Sequence, residues 1–172
     1  RRQLLASLLE EEGIAAAATG IPRRASLAEF PLSSSQQRLW FLDRLEGGNH
    51  YNDFFNLRIA GPLEVNALGR AISEIVRRHE ILRTTFPSVD GHPVQRIVPS
   101  LSIDVAETDL RGLPKDEQEA ETRRLAAEAA RTPFDLAVGP LLRASVVHLG
   151  EDDRVLLLVM HHIVADGWSL DV

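Results

Sequence analysis

Residues 155–169 read VLLLVMHHIVADGWS, and this stretch carries the clearest signals of fold and chemistry in the sequence. The run from Val155 to Met160 is entirely apolar, which is typical of a β-strand that is buried on both faces. Two histidines stand where the run ends. Because side chains alternate along a strand, His161 and His162 should point to opposite faces, and only one of them can face a cleft.

The residues after the histidines predict a change of structure. Gly167 and Ser169 should break the strand and begin a helix. The first backbone N–H groups of a helix have no partner within the helix, so they can stabilise a developing anion. A base and an oxyanion site would then lie side by side.

The pattern His-His-x-x-x-Asp-Gly over residues 161–167, with Trp168 and Ser169 after it, resembles the active-site motif of nonribosomal peptide synthetase condensation domains and their chloramphenicol acetyltransferase-like relatives. Residues 33–42 resemble the family's first motif, with Ser35 where the family usually has alanine. Residues 78–86 resemble the second motif. The three motifs occur in the family's order.

The resemblance covers residues 31–172 and implies a fold. It predicts an α/β class protein, the N-terminal lobe of a chloramphenicol acetyltransferase-like domain, with a mixed β-sheet flanked by helices. In that family two lobes form a V, and a tunnel between them admits two 4′-phosphopantetheine arms. Motifs of the second lobe do not occur in this sequence. We therefore expect half of such a domain, preceded over residues 1–30 by an amphipathic N-terminal helix and a linker.

The resemblance also implies a reaction, in which the amine of an acceptor aminoacyl thioester attacks the carbonyl of a donor acyl or peptidyl thioester. The implied partners are donor and acceptor peptidyl carrier proteins, an adjacent adenylation domain and the missing second lobe. The 4′-phosphopantetheine arrives on the carrier proteins, and no cofactor bound by the chain itself is expected. Acyltransferases that use coenzyme A thioesters, epimerisation domains and non-catalytic recruitment domains are the alternatives.

We interpret His162 as the working histidine, because an imidazole can accept and position a proton at neutral pH. His161 is assigned to structure within the same motif, with its ring hydrogen-bonded inward. Gly167 lets a ligand approach its backbone, and its N–H is a candidate donor to the oxyanion. A tight turn alone would also favour glycine at this position.

Asp166 is interpreted as one half of a structural ion pair. The family resemblance implies an arginine of the second motif as its partner, with Arg83 as first choice and Arg78 as second. The alternative is that Asp166 caps the helix that opens at Gly167.

Trp168 is expected either in the core or, with Ser169, in the wall of the substrate tunnel. No metal site is expected from the two histidines and the motif aspartate, because neighbouring side chains of a strand diverge whereas metal ligands must converge.

Composition limits the class of protein. The 172 residues, 44% of them hydrophobic, suffice for one sizeable core. The net charge of −6 argues against nucleic acid or an anionic membrane as partner. The absence of cysteine excludes disulfides and thiolate chemistry. No apolar run approaches the roughly 18 residues of a membrane span, and a cytoplasmic location is expected.

Periodicity and turn residues predict the remaining elements. Helices are predicted over residues 34–46 and 64–79, and a third begins at Pro114. Strands are predicted over residues 78–86, 93–98 and 101–106, and an antiparallel pair over residues 141–149 and 154–161.

Overall fold

The computed structural model describes residues 29–167 and 169. The predicted N-terminal helix and linker lie outside the described residues, apart from Glu29 and Phe30. The strands, in chain order, are β1 (Phe30–Pro31), β2 (Asn52–Ala60), β3 (Thr84–Thr85), β4 (Ser88–Val89), β5 (His92–Ile97), β6 (Val105–Asp109), β7 (Leu142–His148) and β8 (Asp153–His161). The α-helices are α1 (Ser34–Glu46), α2 (Val65–Arg78) and α3 (Lys115–Arg131).

A mixed sheet forms the centre of the fold, in the strand order β2-β8-β7-β6. The β2–β8 and β7–β8 pairs are antiparallel, and the β6–β7 pair is parallel. On one face of β8, Leu156 and Met160 pack in a cluster with Ile72 of α2. On the other face, Leu157 packs in a cluster with Ala126 of α3. The apolar run is thus buried on both faces, and the predicted mixed sheet flanked by helices is confirmed.

Local sequence signals account for the first helix. The Ser33 hydroxyl accepts a hydrogen bond from the Gln36 amide at 3.3 Å, and the Gln36 side chain accepts one from the Ser33 amide at 2.9 Å. This reciprocal capping box satisfies two N–H groups that a helix start leaves unpaired. The helix ends at Gly47, whose φ of +92° is readily adopted only by glycine. Its predicted bounds are confirmed.

A smaller sheet is built around β5, which pairs with β1, β3 and β4. The turn between β4 and β5 has positive φ at both Asp90 (50°) and Gly91 (82°), as a tight hairpin turn requires. The dipeptide Asp90-Gly91 thus closes the antiparallel β4–β5 hairpin.

The strand predicted over residues 78–86 is wrong for most of its length. Glu80–Arg83 form a 3₁₀ helix, and only Thr84–Thr85 are a strand. The Leu82 amide donates to the His79 carbonyl at 3.0 Å, and the Thr84 hydroxyl donates to the Glu80 carbonyl at 2.8 Å. These short-range bonds close turns that a strand would leave open.

The strand predicted over residues 101–106 begins later, at Val105. The Ile103 amide donates to the Ser73 hydroxyl of α2 at 3.1 Å, so this part of the segment bonds to a helix side chain instead of a neighbouring strand. Within residues 29–167 and at residue 169, no helix has the length and apolarity to cross a lipid bilayer.

Candidate active site

The two histidines stand at the end of β8, between the strands on either side of it. The His161 amide donates to the Leu141 carbonyl, just before β7, at 3.0 Å. The His162 amide donates to the Tyr51 carbonyl, just before β2, at 2.8 Å. Both neighbouring chain segments therefore hold the backbone at this point.

The His161 ring is fully buried, with 0% of its side chain exposed. Its Nδ1 accepts a hydrogen bond from the Ile163 amide at 3.1 Å, and its Nε2 lies 3.3 Å from Oδ1 of Asp43 in α1. Because Nδ1 accepts, the proton of the neutral ring is on Nε2, which donates to the carboxylate. Burial lowers the pKa of His161, against the opposing effect of Asp43. The prediction that this ring bonds inward is confirmed.

The His162 ring lies on the other side of the chain and is 42% exposed. Its Nδ1 lies 2.7 Å from Oδ2 of Asp53 in β2. An ionised carboxylate can only accept, so Nδ1 carries the proton and the neutral ring has its lone pair on Nε2. The predicted opposite orientation of the two rings is confirmed, and the catalytic role of His162 stays a prediction.

Asp53 is the residue that sequence reasoning missed. In the β2–β8 register Asp53 lies opposite Met160. Met160 stands two residues before His162 in the chain. The sequence offers one weak signal, an acidic residue directly before the apolar pair Phe54 and Phe55 in a segment of strand character. Using that signal requires knowing that β2 pairs with β8.

Asp166 forms a local cap after the strand. Its Oδ1 accepts from the Ser169 amide at 3.0 Å and from the Ser169 hydroxyl at 2.7 Å, and its own amide donates to the Ser169 hydroxyl at 3.2 Å. Asp166 and Ser169 are exposed. This geometry agrees with the alternative interpretation of Asp166 as a helix cap.

The structure does not bring the predicted arginines to Asp166, which corrects the expected ion pair. Arg83 donates to the Val98 carbonyl at 2.7 Å and contacts Glu80 at 3.3 Å. Arg78 contacts Glu74 at 2.8 Å. Each arginine thus has a carboxylate three or four residues earlier on its own helix, where side chains are neighbours.

Gly167 is exposed, and a Cβ atom built on it would meet no described heavy atom within 4 Å. Its φ is outside the left-handed range, so the backbone does not require glycine here. A turn with positive φ therefore does not explain the glycine, and the space above its backbone is open among the described atoms. Trp168 lies outside the described residues.

In the described part of the motif region, the His161 ring contacts Asp43 and the His162 ring contacts Asp53 on the opposite side of the chain. No group of three His, Cys, Asp or Glu side chains in the described part of the chain could hold a metal ion.

Comparisons with known proteins identify the family. Residues 26–172 match the family model for the condensation domain. Two proteins of Streptomyces viridochromogenes are similar to this chain. Phosphinothricin tripeptide synthetase PhsB is 45% identical over 159 residues, which cover 90% of this chain and 13% of that protein. Phosphinothricin tripeptide synthetase PhsC is 47% identical over 170 residues, which cover 95% of this chain and 16% of that protein. The chain thus spans a small part of the length of either relative.

A solved structure of the same family is also similar to this chain. The first condensation domain of the calcium-dependent antibiotic synthetase, in complex with a substrate analogue, matches with a TM-score of 0.74 and 27% identity. The match covers 83% of this chain and 36% of that one, so the chain spans about a third of that solved structure. Three motifs in order, the mixed sheet and these matches agree, and the chain belongs to the condensation-domain family.

Proposed function

We propose that this chain takes part in amide bond formation in nonribosomal peptide synthesis, as the N-terminal lobe of a condensation domain. The amine of an acceptor aminoacyl thioester attacks the carbonyl of a donor acyl or peptidyl thioester. Both substrates arrive on 4′-phosphopantetheine arms of carrier proteins, and the chain itself needs no resident cofactor. The family match and the two relatives, which are tripeptide synthetases by name, support this proposal.

One observation carries the proposal: His162 is exposed at the end of a buried strand, with its Nδ1 occupied by Asp53 at 2.7 Å. The other ring nitrogen, Nε2, then has a lone pair in the neutral ring. A base in this form is ready to take a proton from an amine without first losing one.

The proposed step forms one carbon–nitrogen bond and breaks one carbon–sulfur bond. The amine nitrogen forms a bond to the thioester carbonyl carbon, and the carbonyl oxygen becomes an oxyanion. His162 Nε2 takes one proton from the attacking nitrogen. The carbon–sulfur bond then breaks, the oxyanion collapses to the amide carbonyl, and the thiolate receives the proton as the donor carrier's thiol. Holding both thioesters in register contributes much of the acceleration, about 7–11 kcal/mol where the alignment is good.

Gly167 has a separate part in the proposal. Its open surroundings allow the substrate carbonyl to come close to the backbone. An N–H donor there stabilises the oxyanion as charge develops. The second lobe, which supplies the other wall of the tunnel, and an adjacent adenylation domain complete the proposed set of partners.

The test uses the complete two-lobed domain with loaded donor and acceptor carrier proteins. We expect amide product from an amine acceptor and little ester from the matching alcohol acceptor. His162→Ala should lower the rate at least a hundredfold, within the range that general base catalysis contributes. His92→Ala, at an exposed histidine on β5, is the control and should keep the wild-type rate. Full activity in His162→Ala would refute the assignment of the base.

A further inference from the structure

We propose that Asp53 is the positioning residue of His162: its carboxylate holds Nδ1–H and directs the Nε2 lone pair to the attacking amine. This inference rests on the function proposed above. It adds a residue outside all three motifs, since Asp53 lies in β2 and the motifs lie in α1, the 78–86 segment and the end of β8.

The backbone places the two side chains together. Asn52 lies opposite His161 and Asp53 lies opposite Met160 in the antiparallel β2–β8 pair. The His162 amide continues this pairing by donating to the Tyr51 carbonyl at 2.8 Å. Asp53 and His162 are therefore diagonal cross-strand neighbours, at a spacing that side chains of their length can bridge. The 2.7 Å contact between Oδ2 and Nδ1 is the result.

Asn52 and Asp53 are neighbours in β2, so their side chains lie on opposite faces of the strand. Asn52 points to the His161 side, where its amide donates to the carbonyls of Ala130 at 2.8 Å and Thr132 at 3.0 Å. Asp53 points to the His162 side, and among the described residues His162 is its hydrogen-bond partner. Asn52 thus links β2 to the end of α3, whereas Asp53 contacts His162, the candidate base.

The chemistry of the pair follows from the carboxylate. A carboxylate accepts from Nδ1–H, which selects the tautomer with a free Nε2 and sets the direction of the ring. When Nε2 takes a proton from the amine, the ring becomes an imidazolium, and the adjacent negative charge stabilises it. The proton then passes to the departing thiolate, so Asp53 itself neither gains nor loses a proton. This is the part that the carboxylate plays in hydrolytic triads.

The neighbouring His161 ring provides an internal reference for the tautomer of His162. His161 carries its proton on Nε2, because its Nδ1 accepts from the Ile163 amide at 3.1 Å. The adjacent histidines therefore have opposite tautomers. Nitrogen-15 spectra of histidine-labelled protein distinguish protonated from unprotonated ring nitrogens, so one spectrum reports both rings.

A second histidine–carboxylate pair supplies the control variant. Nε2 of His148 lies 2.7 Å from Oε2 of Glu107, across β6 and β7. This pair has the same contact distance as the Asp53 pair, and it lies outside the site proposed here. Glu107→Gln should therefore leave kcat and KM at wild-type values.

The experiment compares Asp53→Ala, Asp53→Asn and Asp53→Glu in the complete domain with loaded carrier proteins. For Asp53→Ala we expect kcat to fall at least tenfold, with the KM for the acceptor carrier within about twofold of wild type. The His162 signals should shift towards the form with Nε2 protonated, while the His161 signals stay unchanged. Asp53→Glu should recover part of kcat, and Asp53→Asn, which keeps the shape, should not.

Wild-type kcat in both Asp53→Ala and Asp53→Asn would overturn the inference. So would a His162 tautomer that stays unchanged in Asp53→Ala. If the wild-type domain forms no amide, the proposed function fails instead, and if His162→Ala keeps full activity, the assignment of the base fails. The tautomer measurement still decides whether Asp53 positions the ring, because it needs no turnover.

Discussion

Nε2 of His161 lies 3.3 Å from Oδ1 of Asp43, and this buried contact joins the end of β8 to helix α1. The indole of Trp40 adds a second link from α1, since its Nε1 donates to the Phe86 carbonyl at 3.0 Å. Helix α1 therefore contacts the third motif through Asp43 and the second motif through Trp40.

Replacing Asp43 tests how much the buried contact contributes. Asp43→Ala leaves the His161 Nε2–H without its acceptor, and a buried donor without a partner costs about 1–3 kcal/mol. Asp43→Asn keeps an acceptor oxygen and should cost less. Urea unfolding measures both free energies. Asp104→Ala, at an exposed aspartate, is the control and should stay within about 0.5 kcal/mol of wild type. Equal stability of Asp43→Ala and wild type would contradict this interpretation.

Burial of His161 predicts a pH dependence of stability. Burial lowers the pKa of His161 in the folded state below the ordinary value of 6.5. Below that value the unfolded chain binds a proton that the folded chain does not, so the free energy of unfolding falls as the pH falls. The loss ends once the pH is below the folded-state pKa. For one proton the slope is at most about 1.4 kcal/mol per pH unit.

Urea unfolding at a series of pH values between about 5 and 8 measures this slope. His161→Asn cannot titrate and should show a smaller slope than wild type. If that variant does not fold, nitrogen-15 spectra of the wild type decide the matter. They should show the His161 ring titrating below the ordinary histidine pKa of 6.5, and titration at or above that value would contradict the prediction.

Gly167→Ala separates a role in folding from a role in ligand binding. A Cβ at this position meets no described atom within 4 Å and the φ angle suits any residue, so the free energy of unfolding should change by less than about 0.5 kcal/mol. Condensation activity should fall at least tenfold, because the methyl group occupies the space to which the proposed function assigns the substrate carbonyl. Unfolding curves and kcat of the complete domain check the two parts. Unchanged activity of Gly167→Ala would refute the proposed role of Gly167 in substrate binding.

Gly139 differs from Gly167, because its backbone conformation is one that glycine adopts readily and other residues rarely do. Its φ is +66°, and an added Cβ would lie 3.3 Å from the Thr85 methyl group. Gly139→Ala should therefore cost at least about 1–2 kcal/mol. Gly112→Ala is the control, since a Cβ there meets nothing within 4 Å and φ lies outside the left-handed range. Thermal unfolding of both variants should show a loss for the first alone.

Local patterns were sufficient for several elements. Serines suited to N-capping, followed by Leu39, Leu42 and Leu45 at helical spacing, predict α1 because both signals act within a few residues. The apolar stripe through Ile72 and Val76 likewise predicts α2. The sequence does not predict the 3₁₀ helix, because Ile81 and Leu82 suit a strand equally well and short-range bonds to the His79 and Glu80 carbonyls decide between the two.

The sequence by itself determined the family motif, the buried strand and the opposite directions of His161 and His162, because alternation along a strand is a property of the local backbone. Only the tertiary structure decided what each ring contacts. Asp53 is 109 residues from His162, and Asp43 is 118 residues from His161. Strand register and the docking of α1 bring these carboxylates to the rings. The tautomer of each histidine depends on those partners, so no local pattern could predict it.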